Sequence, residues 1–329
     1  AARALGTLFG QLGFERVGRH RTKAVTLYRQ GDIQFVVNSQ PGSDARARFD
    51  DQGPSVCALG LATADPQRAA NRASALLSAR RDSPRGPSEL ELPANVAPGG
   101  TLIHFVPDDR RLDADFVADP TPTAAGCGLE TIDHIAMGLA NEQFDTWVLF
   151  SRAVLGLQPG DSLELADPFG LIRSSGFANP QRSLRLVLNV SLSPATRTAR
   201  QVSATGPAGG SVHHIAMSTS DIFETVTRLR ANGVRFVPIS ANYYDDLLAR
   251  LALDEALVRR MQRLDILYDA SAGGGSYFHA YTEAFAERFF FEVVQRHDYD
   301  AYGAINAPAR MASQEQDHAA TAHSKGTAS

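Results

Sequence analysis

Two short phrases in this chain are near copies of each other. Ile132-Asp133-His134-Ile135-Ala136-Met137 returns as Val212-His213-His214-Ile215-Ala216-Met217, with His214 lying 80 residues after His134. A third stretch, Arg288-Phe289-Phe290-Phe291-Glu292-Val293-Val294-Gln295-Arg296, carries a single carboxylate among apolar residues, 78 residues after His214. Each reads as a strand, and strict alternation puts Ile132, His134 and Ala136 on one face, with Val212, His214 and Ala216 in the matching place. A lone buried glutamate is costly unless it is paired or binds a metal. Two imidazoles and one carboxylate on separate strands suit the facial triad of non-haem iron(II), which leaves coordination positions open. Each residue alone has an ordinary alternative: a hydrogen-bonded core histidine, or a glutamate paired with Arg288 or Arg296. The repetition favours a metal site at His134, His214 and Glu292.

The elements that must position these strands can be read in order. Ala2 to Leu12 reads as a helix closed by Gly13. Strands follow at Phe14 to Arg21, Ala24 to Arg29 and Ile33 to Asn38, with Gln30-Gly31-Asp32 as a turn. A strand from Pro54 to Leu61 carries Cys57 where the later phrases carry histidine, and a helix from Pro66 to Arg80 follows. Thr101 to Val106 is a strand containing His104, but no carboxylate strand accompanies Cys57 and His104, so this half is read as structural. Asp108 to Gly128, rich in Asp, Pro, Thr and Ala, is the expected boundary. Beyond it, helices are expected at Glu142 to Leu155, Ser220 to Asn232 and Tyr243 to Arg263. The motif Leu8-Phe9…Leu12-Gly13-Phe14 recurs as Leu149-Phe150…Leu155-Gly156-Leu157, another sign of a repeated unit.

The phrases IDHIAM, VHHIAM and FFFEVVQR resemble the metal strands of the 4-hydroxyphenylpyruvate dioxygenase family, within the vicinal-oxygen-chelate (glyoxalase/bleomycin-resistance) superfamily. The likeness extends through LGFERVGRHRTKAVTLYRQGDIQFVVN and DIFETVTRLRANGVRFVPISANYYDDL, roughly Leu5 to Met311. It implies an α+β fold of repeated βαβββ modules paired into two open-barrel domains, with the first strand of the N-terminal module missing. The domains would be residues 1–120, without a metal site, and 121–311, with one; the polar tail 312–329 reads as disordered. The resemblance implies Fe(II) on His134, His214 and Glu292, with Mg or another divalent cation as the alternative. It also implies dioxygen and an aromatic 2-oxo acid, a small aromatic or cyclic acid substrate, as reactants.

The pocket positions depart from the family. Its strand before the ligand glutamate reads roughly Leu-Leu-Gln-Ile-Phe-Thr; here Tyr277-Phe278-His279-Ala280-Tyr281-Thr282 places His279 at the Gln and Tyr281 at the Phe. Alternation puts Tyr277, His279 and Tyr281 on one face. His279 could be a fourth ligand, a general base or a hydrogen bonder to substrate. Asn306 is a helix-cap candidate, and Ala307 stands where the family has an aromatic residue. Asn189, with Ser174 or Ser175 before it, resembles a strand end that faces substrate. The segment Tyr302-Gly303-Ala304-Ile305-Asn306-Ala307-Pro308 is similar to the C-terminal half of bacterial fused 3-dehydroshikimate dehydratases. That likeness implies a fused dehydratase barrel N-terminal to Ala1, whose catalytic residues this chain lacks. Three readings follow: a working dioxygenase, a metal-binding accessory domain of a dehydratase fusion, or a ring-cleaving or glyoxalase-type enzyme.

Composition narrows the setting. The 329 residues suffice for one or two domains with real cores. A net charge of −4 and a pI near 6.2 give no reason to expect nucleic acid or an anionic membrane as partner. Two cysteines, Cys57 and Cys127, offer no disulfide framework, which fits a reducing cytoplasm. No apolar run is long enough to span a bilayer. A homo-oligomer is expected.

Overall fold

The computed structural model describes residues 1–119, 125–203 and 210–315. Helix α1 (Ala2–Gln11) leads into an antiparallel meander of β1 (Glu15–His20), β2 (Val25–Gln30) and β3 (Ile33–Asn38). The β2–β3 turn needs Gly31: its φ is 56°, and a Cβ there would lie 2.5 Å from the Glu130 carbonyl oxygen. Next comes α2 (Asp44–Gln52), which the sequence patterns did not suggest; the Ser43 hydroxyl caps it by accepting from the Arg46 N–H at 3.1 Å. Then follow β4 (Ala58–Thr63), α3 (Pro66–Ala75), β5 (Ala94–Val96), β6 (Leu102–Pro107) and β7 (Phe116–Ala118).

The C-terminal half contains β8 (Leu129–Leu139), α4 (Phe144–Ala153), β9 (Gln158–Asp167), β10 (Gly170–Ala178), β11 (Arg185–Ser191), α5 (Arg197–Ser203) and β12 (Gly210–Thr219). It continues with α6 (Ile222–Ala231), α7 (Ala241–Arg250), α8 (Glu255–Leu264), β13 (Leu267–Ala270), β14 (Ser276–Tyr281) and β15 (Phe290–His297). Residues 307–315 form a closing helix. All eight strands make one curled open sheet in the order β13-β14-β15-β12-β8-β11-β10-β9. In each module the first strand runs parallel to the last, β8 with β11 and β12 with β15, and the modules join through the antiparallel pair β8–β12.

The N-terminal half divides its strands differently from the C-terminal one. It forms two sheets, β3-β2-β1-β7 and β4-β6-β5. Among the described residues no strand takes the place that β8 takes in the other half. By the rule of that half, such a strand would run parallel to β3 and antiparallel to β4, so without it nothing bridges the two. Three expectations change in detail. The segment read as a boundary, Asp108 to Gly128, contributes β7, which pairs with β1; the boundary at 120/121 itself lies outside the described residues. The helix expected over Tyr243 to Arg263 is two, α7 and α8, because Asp254 starts a new one by accepting from the Leu257 N–H at 2.9 Å. Residues 312–315 are helical, and the rest of the expected disordered tail lies outside the described residues.

The sheet has two chemically distinct faces. Ile135, Met137, Leu139, Ile215, Met217, Phe291 and Val293 point into the main hydrophobic core with the helices. Phe291 meets Phe9 of α1 and Phe35 of β3, with ring centroids 6.2 and 5.7 Å apart. The N-terminal half therefore braces the back of the strand that carries Glu292. Burying a ring of this size contributes roughly 1.5–3 kcal/mol, so the brace is a firm one. The other face is lined with ionisable and polar side chains.

Candidate metal centre

His134 on β8, His214 on β12 and Glu292 on β15 meet on the inner face of the sheet. One ligand atom from each lies within 4.8 Å of the others, and all three residues are buried. Register brings them together: Ala216 is opposite His134 across the antiparallel pair and opposite Glu292 across the parallel pair. Glu292 Oε2 lies 3.3 Å from His134 Nε2 and 3.2 Å from His214 Nε2, yet it has no hydrogen-bond partner. A fully buried carboxylate oxygen without a hydrogen bond, facing two imidazole nitrogens, is a donor set that fits a divalent cation.

The remaining atoms of the triad are all held. Asp133 Oδ1 lies 2.7 Å from His134 Nδ1, so that nitrogen carries the proton and Nε2 is left to bind. Arg296 grips Asp133 with two hydrogen bonds, from Nε at 2.6 Å and from Nη2 at 2.7 Å. It also donates to the carbonyls of Tyr299, at 3.0 Å, and Ala301. His213 Nδ1 lies 3.1 Å from His214 Nδ1. Glu292 Oε1 accepts from His279 Nδ1 at 2.7 Å and from the Tyr277 hydroxyl at 3.3 Å.

Each histidine phrase contains a β-bulge, which corrects strict alternation. Opposite β12, pairing skips from His134 to Ile132, leaving Asp133 as the extra residue; opposite β8 it skips from His214 to Val212, leaving His213. A bulge re-aims the inserted side chain. Asp133 and His213 are consequently buried beside their histidines, whereas Ile132 is exposed and Val212 turns into the core.

The electrostatics follow from these contacts. Burial alone would raise the Glu292 pKa, but the imidazoles of His134, His214 and His279 gathered around its carboxylate hold it well below the carboxylate range. Burial depresses both histidines. At His134, the bond with Asp133 and the facing Glu292 carboxylate overcome this and lift its pKa to about 9. At His214 burial wins and the pKa falls to about 4. Burial also pushes the Tyr277 and Tyr281 hydroxyls well above 10, reinforced by the Glu292 charge, so both stay neutral donors.

The expected pocket residues divide into two groups. His279 and Tyr281 lie beside Glu292, and Asn306 joins them through His279. His279 is fully buried with both ring nitrogens engaged, since Nε2 meets Asn306 Nδ2 at 3.0 Å. Asn306 Nδ2 also donates to the Tyr268 carbonyl at 2.9 Å. That fixes the amide as donor, makes His279 Nε2 the acceptor and leaves the proton on Nδ1, facing Glu292. Tyr281 pairs with Glu292 across β14–β15, and its ring lies 6.1 Å from that of His214. Gly303 lets the closing segment approach: its φ is 64°, and a Cβ there would sit 2.5 Å from the Tyr277 ring.

The second group lies further along the sheet. Asn189 of β11 is opposite Ser174 of β10, so these two share a face. Ser175 is the misplaced choice between the two serines. It is opposite the core residue Leu188 and bonds Ser162 at 2.8 Å, because one step along a strand reverses the side chain. Sequence reasoning missed Asp133, Arg296, Tyr277 and His213 as supports. The available signal was a carboxylate inside the apolar phrase IDHIAM.

The first half offers no such triad among the described residues. Val56 to Thr63 aligns with Val212 to Thr219 residue for residue, which sets Ala58 against His214 and Cys57 against His213. Register then puts His104 opposite Gly60, the place Glu292 holds opposite Ala216.

This fold and inner-face triad define a vicinal-oxygen-chelate protein. Residues 1–119 match the family model described as hydroxyphenylpyruvate dioxygenase, HPPD, N-terminal. Residues 131–255 match that of the glyoxalase/bleomycin resistance protein/dioxygenase superfamily. The chain is 32% identical to hemolysin VllY of Vibrio vulnificus over 94% of this chain and 88% of the relative. It is 42% identical to a 3-dehydroshikimate dehydratase of Pseudomonas aeruginosa over 95% of this chain and 50% of the relative. A solved xylose isomerase-like TIM barrel/4-hydroxyphenylpyruvate dioxygenase fusion protein superposes with a TM-score of 0.82 at 40% identity, covering 95% of this chain and 50% of that one. The chain thus spans about half the length of the dehydratase and fusion relatives. It belongs to the 4-hydroxyphenylpyruvate dioxygenase family.

Proposed function

We propose that this chain is a non-haem iron(II) dioxygenase domain acting on an aromatic 2-oxo acid by oxidative decarboxylation and ring hydroxylation. The observation that carries the reading is the orphaned Glu292 Oε2 facing the Nε2 atoms of His134 and His214, with every other atom of the three ligands held by a buried partner. Iron(II) held there would supply the Lewis acidity for a chelating carboxylate and keto oxygen, and the electrons that activate dioxygen.

The chain's own residues do the rest. Asp133 keeps the His134 proton on Nδ1, so that Nε2 binds as a neutral donor. His279 and Tyr277 hold Oε1 of Glu292, which fixes the carboxylate's rotation and leaves Oε2 to the ion. The rings of Phe290 and Tyr281 wall His214 on two sides, at 4.9 and 6.1 Å between centroids, and keep water off it. Asn189 and Ser174 would line the far wall of the substrate space.

A second reading is a metal-binding accessory domain of a fused dehydratase that converts 3-dehydroshikimate to protocatechuate, with no dioxygenase activity of its own. It is favoured by the half-length match to the dehydratase and by Ala307 at the family's aromatic position. Anaerobic loading with iron(II), then oxygen uptake with and without 4-hydroxyphenylpyruvate, separates the two. Substrate-dependent uptake with release of carbon dioxide supports the dioxygenase. Stoichiometric iron without such uptake supports the accessory domain.

A further inference from the structure

A second cluster of unsatisfied polar groups lies away from the triad, in a cleft of about 380 Å³ between the end of α2, helix α5 and the starts of β12 and β15. Its lining includes Gln52, Arg197, Arg200, Gln201, Val212 and Phe289. The Gln201 amide has neither its oxygen nor its nitrogen satisfied, although both are buried, and the Oε1 of Gln52 is likewise buried and unpaired. Three orphaned atoms in one cleft call for a ligand that can both accept and donate.

The charge in the cleft points to the class of ligand. Arg200 is taken by Glu315 at 2.6 Å. Arg197 has neither a hydrogen bond nor an ion pair with any described residue, though it is partly buried on α5. Burial, and then the nearby Arg310, make its charge harder to hold, which Glu315 and Glu287 offset only in part. Arg310 is itself buried with its Nε unsatisfied; it bonds Gln314 at 2.7 Å and stacks on Tyr281 and Phe290, 5.1 and 5.2 Å from the ring centroids. Glu287 lines the same cleft but forms no ion pair with Arg197. The lining sets Arg197, Arg200 and Arg288 against Glu287, and a ligand carboxylate matches a guanidinium's planar fork. Pro54 and Ala286 supply the accessible apolar part of the wall.

We infer that this cleft is a binding site for a small aromatic carboxylate, its carboxylate on Arg197 and its ring against Pro54 and Ala286, with the Gln201 amide bonding a polar substituent. The site does not depend on the metal. It is one residue removed from each of His213 and Phe290 along the chain, so it adjoins the triad without sharing its ligands.

The test is calorimetric titration of the full chain, stripped of metal by a chelator, with benzoate, 4-hydroxybenzoate and inorganic phosphate. Arg197→Gln, Gln201→Leu and His134→Ala are compared with the wild type, and melting curves check that each variant folds. Saturable binding of the benzoates, weakened at least tenfold by Arg197→Gln and kept in His134→Ala, supports the site. The tighter binding of 4-hydroxybenzoate should disappear in Gln201→Leu. The inference is overturned if the wild type binds neither benzoate at millimolar concentration, or if phosphate alone binds. It is equally overturned if His134→Ala abolishes binding while Arg197→Gln leaves it intact, because the ligand would then sit at the triad. Failure of the dioxygenase reading would change none of these outcomes.

Discussion

The two histidine phrases have the same backbone and different electrostatics. Both place a bulge immediately before the metal-facing histidine and bury the bulged side chain against Nδ1. In β8 that side chain is Asp133, an anion locked by Arg296; in β12 it is His213, which burial keeps neutral. The result is a histidine at about 9 beside one at about 4, from phrases that differ little in sequence. A duplicated strand therefore fixes where an imidazole stands. The residue one step earlier decides how strongly that imidazole holds a proton or a metal.

The sharpest way to break this asymmetry is Asp133→Asn set against His213→Asn. Losing the carboxylate should lower metal affinity by roughly 10–100-fold and leave Arg296 buried without its counter-ion, at a cost of about 3–5 kcal/mol. His213→Asn should cost clearly less on both counts. Competitive chelator titration and thermal melting of the two variants check the ranking; equal losses would dissolve the contrast.

The same contrast has a pH signature in protein stripped of metal. His134 is raised from 6.5 to about 9, so its stabilisation is full below pH 6.5 and is lost as pH rises through 9. His214 is lowered from 6.5 to about 4, so its neutral form supports the fold above pH 6.5, and that support is lost as pH falls towards 4. Melting temperature against pH should thus decline on both sides. In Asp133→Asn the alkaline decline should shift to lower pH while the acid limb stays in place.

Tyr277→Phe removes one of two donors to Glu292 Oε1 and leaves His279 in place. About 1 kcal/mol of stability should be lost, with metal still bound; melting and metal content together report it. The smallest effect is expected in the half without a triad. There Glu89 is buried, takes bonds from Lys23 at 2.7 Å, from Thr22 and from the Gly86 N–H, and is held down to about 2. A depressed carboxylate supports the fold above its usual 4.5 and loses that support as pH falls through 2. Glu89→Gln should melt slightly below the wild type at pH 7 and level with it near pH 2.

Much of the site is legible in the sequence, for a physical reason. His134, His214 and Glu292 repeat at similar spacing, and strands of a repeated unit carry such residues to one face. What escaped depended on register. Alternation assigned Ile132 to the face of His134, and the bulge gave that place to Asp133. A one-residue choice between Ser174 and Ser175 decided which serine shares a face with Asn189. The family Gln position suggested a group free to meet substrate, yet His279 spends both nitrogens on Glu292 and Asn306, a link that spans 27 residues of chain. The helix-first order of the N-terminal half could be read from α1, but a sheet split in two follows only from knowing which strands a first strand would join.

The central claim is that His134, His214 and Glu292 bind one divalent metal ion. Its most direct test is iron content after anaerobic loading and desalting, for the wild type beside Glu292→Gln. The account predicts one iron per wild-type chain and less than about a tenth of that in a folded variant, since the two histidines alone do not complete the facial set. Equal iron in both proteins, or none in either, would contradict it.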